Sequence, residues 1–281
     1  MSFGPAPWQQ TNWDGRAAGN FICGGAGGGL IVFAALSGAV GPALTGLVLA
    51  GLALVGLGLF CVWLEIGRPL RALHVFFNPR TSWMTREAFT ATLLFPVGLA
   101  AAAAVPGCAW VAAALALAFV YCQGRMLQGA KGIPAWREAM ILPLIVTTGL
   151  VEGAGLFFLT APLRATGTQA LLVIFATLAL VRMFVWFAYR RRLAASAAPG
   201  ANAALDRVGQ MLQIAGTLVP LLLIAAIVSG AVSAAQIPLI AAIAGLAAAA
   251  AGAYTKYAIV TRAGFNQGFA LTHLPVRGVR P

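Results

Sequence analysis

Eight long apolar runs dominate this sequence and leave few ways for it to fold. A helix needs about 20 apolar residues to cross roughly 30 Å of hydrocarbon, and most of the 281 residues fall into runs of that kind. The fourth run reaches full length only by including polar residues that follow it. Because 61% of the chain is hydrophobic, it cannot cover a soluble globule with polar surface. The runs cover residues 17–39, 42–64, 88–105, 109–122, 139–161, 168–189, 208–229 and 237–260.

The composition of the runs favours helices over strands. They are rich in Ala, Leu and Gly and lack the two-residue alternation of a membrane barrel. Helices also satisfy their own backbone hydrogen bonds in lipid. We therefore predict an all-α, polytopic membrane protein, in which residues 1–281 form one integral domain with eight transmembrane helices. The glycine-rich first run predicts close approach of another helix, or of a flat ligand, to its backbone.

The distribution of basic residues predicts the orientation in the membrane. If eight runs cross, both termini and the connections after the second, fourth and sixth runs share one side. That side collects sixteen of the 18 Lys and Arg residues, so the positive-inside rule places it in the cytoplasm. We expect a multi-pass protein of the bacterial inner (cytoplasmic) membrane with both termini cytoplasmic. The net charge of +12 favours anionic lipid or an acidic protein partner, and no soluble domain is present to bind nucleic acid.

Metal and haem chemistry has little support in the sequence. The four cysteines lie apart, without a Cys-x-x-Cys pair, so we expect neither a zinc site nor an iron–sulfur cluster in this chain. The two histidines, His74 and His273, fall outside the apolar runs. We therefore do not expect haem b, which needs histidine pairs within the helices.

Two ionisable residues inside apolar runs mark candidate functional positions. Glu152 lies in the fifth run and Arg182 in the sixth, and charges are costly in lipid. They can form a structural ion pair between neighbouring helices, or belong to a proton path. Lys256 is near the end of the last run, where we expect its ammonium group to reach the interface by snorkelling.

Polar side chains are concentrated in three segments on the predicted cytoplasmic side. Segment 65–87 reads EIGRPLRALHVFFNPRTSWMTRE and carries four arginines and two glutamates. A second polar segment covers 123–138, and the tail 261–281 is either a docking strip or a loose surface tail. Arginines beside a membrane can serve only to set topology. Here they are mixed with acidic and aromatic residues, which predicts a further role, so these segments are the candidate functional regions.

Two stretches resemble the DmsC family, the membrane anchors of molybdenum enzymes, which is related to the wider NrfD group. The first is LEIGRPLRALHVFFNPRTSWMTREAF and the second is GRMLQGAKGIPAWREAMILP. With the eight runs, the resemblance covers nearly the whole chain. The positions that match the family pattern are Gly67, Pro69, Arg71, Ala72, Ser82, Glu87, Arg125, Pro134 and Trp136.

The resemblance implies a subunit that holds quinone and joins two partners. One would be a ferredoxin-like iron–sulfur subunit and the other a catalytic subunit with a molybdenum or tungsten bis-pterin cofactor. The quinone would be menaquinone or ubiquinone. Because the polar face is predicted to be cytoplasmic, the complex would resemble sulfite dehydrogenases or phenylacetyl-CoA:acceptor oxidoreductase, with electrons passing from substrate to quinone.

Candidate site residues follow from this resemblance. Where family members can carry a quinol-site histidine, two residues before the glycine, this chain has Glu65. Glu65 is either a proton carrier or a partner of Arg68 or Arg71. A proton path would use Glu65, Glu152 and Arg182. The quinone-binding candidates are Asn20, Glu65, Arg68, Trp83, Arg86, Glu87, Gln123, Arg125 and Trp136. The docking candidates are Arg71, His74, Arg80, Arg137, Arg262, His273 and Arg277.

Two other functions remain open. The chain can be a tether that never touches quinone, or a transporter for ions or small solutes. A transporter predicts inverted repeats with broken helices at the midplane. No convincing duplication is visible in the sequence, and the connections on the far side are short.

Overall fold

The computed structural model describes residues 4–66, 69–163 and 169–269, and within these ranges the chain is helical with no β-strand. A 3₁₀ segment, Pro69–Phe77, follows the second long helix, and a one-turn helix, Pro134–Arg137, precedes the fifth. The long helices of the described chain are α1 (Gly15–Leu36), α2 (Gly41–Glu65), α3 (Trp83–Ala102), α4 (Cys108–Gly129), α5 (Ile141–Leu159), α6 (Gln169–Leu193), α7 (Pro199–Val228) and α8 (Ile237–Tyr257).

Seven of these helices are long and apolar enough to cross a membrane, which gives the chain its multi-pass membrane character. The fourth predicted run reaches its length by extending to Gly129, as expected. The helix that falls short is α3, because Arg86 and Glu87 lie in its first turns and lower its mean hydropathy. Its outer face is nevertheless apolar, with Phe89, Leu93 and Leu99 exposed.

Small residues bring the central helices together. Helix α1 packs against α2, α4 and α5, and α5 also packs against α8. A Cβ atom added at Gly153 of α5 would collide with the backbone of Gly29 in α1. A Cβ added at Gly245 of α8 would likewise collide with the carbonyl of Gly155. Gly29 of α1 therefore allows close helix packing. Such packing relies on van der Waals contact, because the hydrophobic effect does not drive helices together in lipid.

The two ends of the described chain meet at one end of the bundle. The backbone N–H of Gln10 donates to the carbonyl of Gly264 at 2.8 Å, and that of Asn266 donates to the carbonyl of Trp8 at 3.0 Å. Nη1 of Arg16 donates to the carbonyl of Leu64 at 3.0 Å, which places the end of α2 there as well. We call this end, where segments 4–14 and 263–269 lie, the terminal face.

Candidate functional site

A large apolar pocket lies at the terminal face, between the end of α2, the 3₁₀ segment and the start of α3. Its volume of about 700 Å³ lies in the range of small-molecule sites. Oγ1 of Thr85 donates to the carbonyl of Val75 at 2.5 Å and so holds the 3₁₀ segment against α3. Its lining includes Phe60, Trp63, Arg71, Leu73, His74, Glu87 and Ala88.

Glu87 is the buried acid of this pocket. Its side chain is 3% exposed, although the rest of the lining is mostly apolar. Nδ2 of Asn20 donates to its Oε1 at 3.2 Å, and Nε2 of Gln123 donates to the backbone carbonyl of Asn20 at 2.8 Å. Within the described ranges, no cation forms a salt bridge with this carboxyl group. Neutral amides therefore hold Glu87.

A smaller cavity of about 200 Å³ connects Glu87 with Glu65. Asn20 and Trp13 also line it, and Glu65 is half-buried at the end of α2. The volume has room for several water molecules, since one occupies about 30 Å³ of liquid. The structure thus brings together four of the predicted quinone-binding residues: Asn20, Glu65, Glu87 and Gln123.

The predicted residues Trp83, Arg86 and Arg125 form a separate cluster. The guanidinium groups of Arg86 and Arg125 lie 4.1 Å and 4.6 Å from the centre of the Trp83 ring, in cation–π contact. Arg86 also donates to the carbonyls of Pro79 and Arg80, at 3.0 Å and 2.8 Å. None of the three predicted residues lines either cavity. The geometry gives them the role of holding the loop before α3.

Trp136 does not form a wall of the pocket. Its Nε1 donates to the carbonyl of Ile259 at 2.8 Å, and its ring stacks on Trp13 with 4.9 Å between centroids. Trp136 is 3% exposed and belongs to the core beneath the terminal segments. The ring beside the small cavity is that of Trp13, which was not among the predicted site residues.

The predicted docking residues have different surroundings. Arg71 and His74 line the large pocket. Arg137 donates to the carbonyl of Lys131 at 3.0 Å and to Gln267 at 3.2 Å, and Arg262 lies over the rings of Tyr254 and Tyr257. The predictions for Arg68, His273 and Arg277 fall outside the described residues.

Glu152 is paired with Lys256 and not with Arg182. Nζ of Lys256 lies 2.5 Å from Oε2 of Glu152 and 2.8 Å from the carbonyl of Phe21, and its side chain is fully buried. The expected snorkelling of Lys256 is therefore wrong. The guanidinium of Arg182 donates instead to the carbonyls of Gly216, at 2.5 Å, and Ala248, at 3.4 Å.

Local departures from α-helical geometry supply several carbonyl acceptors, including those of Phe21 and Gly216. The segments Asn20–Gly24 and Ile214–Leu218 are π-helical turns, in which the regular i→i−4 ladder is interrupted. The carbonyls of Asn20 and Phe21 in the first turn accept from Gln123 and Lys256. Buried polar side chains thus satisfy backbone groups that lipid cannot.

The sequence contained a partial signal for the buried Lys256. A Cβ at Gly25 would collide with Nζ of Lys256, and one at Gly252 would lie 2.9 Å from Oε1 of Glu152. Glycines in apolar helices can therefore mark positions where a neighbouring helix places a long charged side chain. The partner itself was not predictable, because α5 and α8 are not neighbours in the chain.

Among the residues that the structure describes, no group of three or more His, Cys, Asp or Glu side chains is placed to hold a metal ion. No protein-family model matches the sequence, and no curated protein matches it either.

Proposed function

We propose that this chain is the membrane anchor and quinone-binding subunit of a molybdenum or tungsten oxidoreductase complex. The observation that carries the proposal is Glu87, a buried carboxyl group without a cationic partner in the described chain, in the wall of a 700 Å³ apolar pocket. Buried ionisable groups that border a pocket are candidates for proton chemistry. The resemblance of segment 65–87 to the DmsC family supplies the class of ligand.

The residues of the pocket fit a quinone. Phe60, Trp63 and Leu73 are exposed around the pocket, so an isoprenoid tail can leave directly into lipid. Glu87 and His74 are hydrogen-bonding groups suited to the two carbonyl oxygens of a head group. When bound, menaquinone or ubiquinone supplies a reversible acceptor for two electrons and two protons.

The side chains can also deliver protons. Glu87 holds a proton at its carboxyl oxygen next to the pocket, and Asn20 fixes the orientation of that group. Glu65 is half-buried and reaches the same small cavity, so it can pass protons from the terminal face to Glu87 through water. Glu65 keeps its proposed role as proton carrier, with Glu87 as the group next to the quinone.

The proposal extends to topology. With α3 as an eighth span, the number of crossings is even, as the pairing of the two terminal segments at one face requires. The apolar outer face of α3 supports this assignment. The terminal face is rich in arginine, so both termini lie in the cytoplasm of a bacterium and the chain spans its inner membrane.

We propose that both partners bind at the terminal face. An iron–sulfur subunit docked there brings a cluster close to the pocket, and the catalytic subunit lies behind it in the cytoplasm. Electrons then pass from a substrate, of the phenylacetyl-CoA or sulfite type, to the quinone. Co-purification tests this arrangement: we expect tagged chain to carry iron–sulfur and molybdenum or tungsten partners out of the membrane, whereas chain extracted without them contradicts it.

Blocking the pocket tests quinone binding. Ala88→Trp places an indole in the pocket, and Leu93→Trp, five residues further along the same helix, places the same ring on the exposed face. We expect a fluorescent quinone analogue to bind wild-type protein and Leu93→Trp with equal affinity and to lose affinity for Ala88→Trp. Equal binding by both variants would place the quinone elsewhere.

A further inference from the structure

A set of buried polar groups, with one gap, leads from the pocket into the bundle. It begins at Glu87, continues through Asn20 and Gln123, and ends at the pair of Lys256 and Glu152. Each of these five side chains is at most 3% exposed. Such groups are costly in lipid unless they have a function.

One link in the set lies beside Gly25. A Cβ there would collide with Nζ of Lys256 and lie 3.5 Å from Oε1 of Gln123, so the two side chains face the same spot. Lys256 uses two of its three ammonium protons, on Glu152 and Phe21. Oε1 of Gln123 has no hydrogen-bond partner among the described residues. A free donor thus faces a free acceptor, which one internal water or a small side-chain rotation can join.

Unpaired oxygens occur at both ends of this link. Oδ1 of Asn20, next to Glu87, and Oε1 of Glu152 are buried without a partner in the described chain. Oγ1 of Thr148, one turn before Glu152 in α5, is also unpaired there. Buried polar atoms normally have hydrogen-bond partners, and where the protein supplies none, an internal water molecule is the usual partner.

The network is closed towards the other face of the membrane. Phe157 follows Glu152 by five residues, about 7.5 Å along α5, and the rings of Phe33 and Phe158 lie 6.0 Å and 5.2 Å from it. The ring of Phe175 stacks on Phe158 at 5.6 Å. These four phenylalanines are fully buried and offer no hydrogen-bonding group.

We propose that Lys256 and Glu152 form an internal proton reservoir that is filled and emptied through Glu87. The proposal rests on the proposed quinone chemistry at the pocket. Reducing one quinone to quinol takes two electrons, supplied by the iron–sulfur partner, and two protons. Glu87 gives the first proton and becomes a carboxylate. The Lys256 ammonium then gives a proton that passes to Glu87 for the second transfer, and Lys256 remains as an amine beside Glu152.

Refilling follows the same route in reverse. Two protons from the terminal face enter through Glu65 and the small cavity, and they restore Glu87 and Lys256. Because the phenylalanine cluster closes the far side, no proton crosses the membrane in this cycle. Arg182 takes no part in this proton cycle, since its guanidinium donates to the carbonyls of Gly216 and Ala248.

A double substitution tests the reservoir without leaving an unpaired buried charge. Glu152→Gln with Lys256→Met removes the pair, and Asp206→Asn with Arg190→Met removes an ion pair at the end of α6 as a matched control. The first readout uses the purified chain without quinone. We expect the infrared carboxyl band of Glu87, assigned by its loss in Glu87→Gln, to shift in the reservoir variant and not in the control. An unchanged band overturns the proposal.

The second readout uses the assembled complex in a single turnover with a pH-sensitive dye. In wild-type and control complexes, we expect quinone reduction to precede proton uptake from the medium. In the reservoir variant the two should coincide. Identical kinetics in all three overturn the reservoir and leave quinone binding intact. If the Glu87 band shifts but no quinone analogue binds the wild-type chain, the pocket proposal fails and the connection from Glu87 to Lys256 stands.

Discussion

Glu87 and Glu152 are equally buried but have different partners. Glu87 is 3% exposed, is held by the amide of Asn20 and faces a 700 Å³ pocket. Glu152 is 1% exposed, is bound by the ammonium of Lys256 and faces packed helices. A carboxyl group held by amides can gain or lose a proton without breaking an ion pair, whereas a proton that leaves the pair of Lys256 and Glu152 breaks one, so the pair releases its proton less readily than Glu87 does. Burial alone therefore does not identify the reactive acid; its partners do.

The largest effect on stability is expected where the ion pair is broken. Lys256→Met leaves the carboxylate of Glu152 buried without a cation, and breaking a buried pair in this way costs about 3–5 kcal/mol. The double variant with Glu152→Gln should recover most of that loss. Unfolding titrations in detergent measure both. Equal free energies of unfolding for the single and double variants would show that breaking the pair of Lys256 and Glu152 does not destabilise the bundle.

The largest effect on activity is expected at the other acid. Glu87→Gln keeps the shape and the contact with Asn20 but removes the proton, so quinone-linked turnover of the complex should fall by about a hundredfold. The free energy of unfolding should change little. Glu65→Gln should give a smaller fall, since water in the small cavity still reaches Glu87. Unchanged turnover of Glu65→Gln in a stable complex would remove Glu65 from the proton route.

An intermediate effect is expected at the contact between α5 and α1, next to Glu152. Gly153→Ala forces the backbones of α5 and α1 apart, and overpacking of this kind costs about 1–3 kcal/mol. Gly46→Ala is the control, because no atom beyond the adjacent residues and backbone of its own helix lies within 4 Å of the added methyl group. In thermal unfolding, the melting temperature of Gly153→Ala should be clearly lower than that of Gly46→Ala. Similar melting temperatures would contradict the close packing of α1 on α5.

The smallest effect is expected at an exposed carboxyl group, Asp14, which serves as a baseline for the two buried ones. Its side chain caps α1 by accepting from the backbone N–H of Arg16 at 2.7 Å. Losing such a cap costs about 1 kcal/mol, so Asp14→Ala should be slightly less stable than wild type.

The contribution of Asp14 also depends on pH. Hydrogen bonds from the side chain and backbone of Arg16 lower the pKa of Asp14 below its ordinary value of 3.8. The stabilising contact of ionised Asp14 with Arg16 is therefore present in full above pH 3.8 and is lost as the pH falls through the lowered pKa of Asp14. Asp14→Asn keeps the cap but should remove this acid dependence. An equal loss of stability on acidification in Asp14→Asn would assign the dependence to other groups.

Much of the fold was predictable because the membrane imposes it. Apolar length and the absence of alternation were enough to predict an all-helical, multi-pass chain, and seven of the eight predicted runs meet the criteria for a span. The fourth run was predicted to be the weakest, whereas the helix that falls short is α3, because Arg86 and Glu87 lie inside its first turns. Local composition cannot show that a neighbouring helix supplies Asn20 to bury that carboxyl group.

The candidate site was predictable only in part. The amide and acid residues at the ends of α1 to α4 were selected as hydrogen-bonding groups for the quinone that the resemblance implies, and the structure brings Asn20, Glu87 and Gln123 together. Trp136 and Arg125 were selected for their chemistry, but packing directs them away from the pocket. The pairing of Glu152 with Lys256 depends on which helices are neighbours, and hydropathy does not carry that information.

The most direct test of the account is photolabelling of the assembled complex with an azido-quinone, followed by mapping of the labelled peptides. We expect label in the end of α2 and in the segment from Arg71 to Ala88, and we expect Ala88→Trp to abolish it while Leu93→Trp retains it. Label confined to other helices, or label in this segment that Ala88→Trp leaves unchanged, would contradict a quinone site beside Glu87.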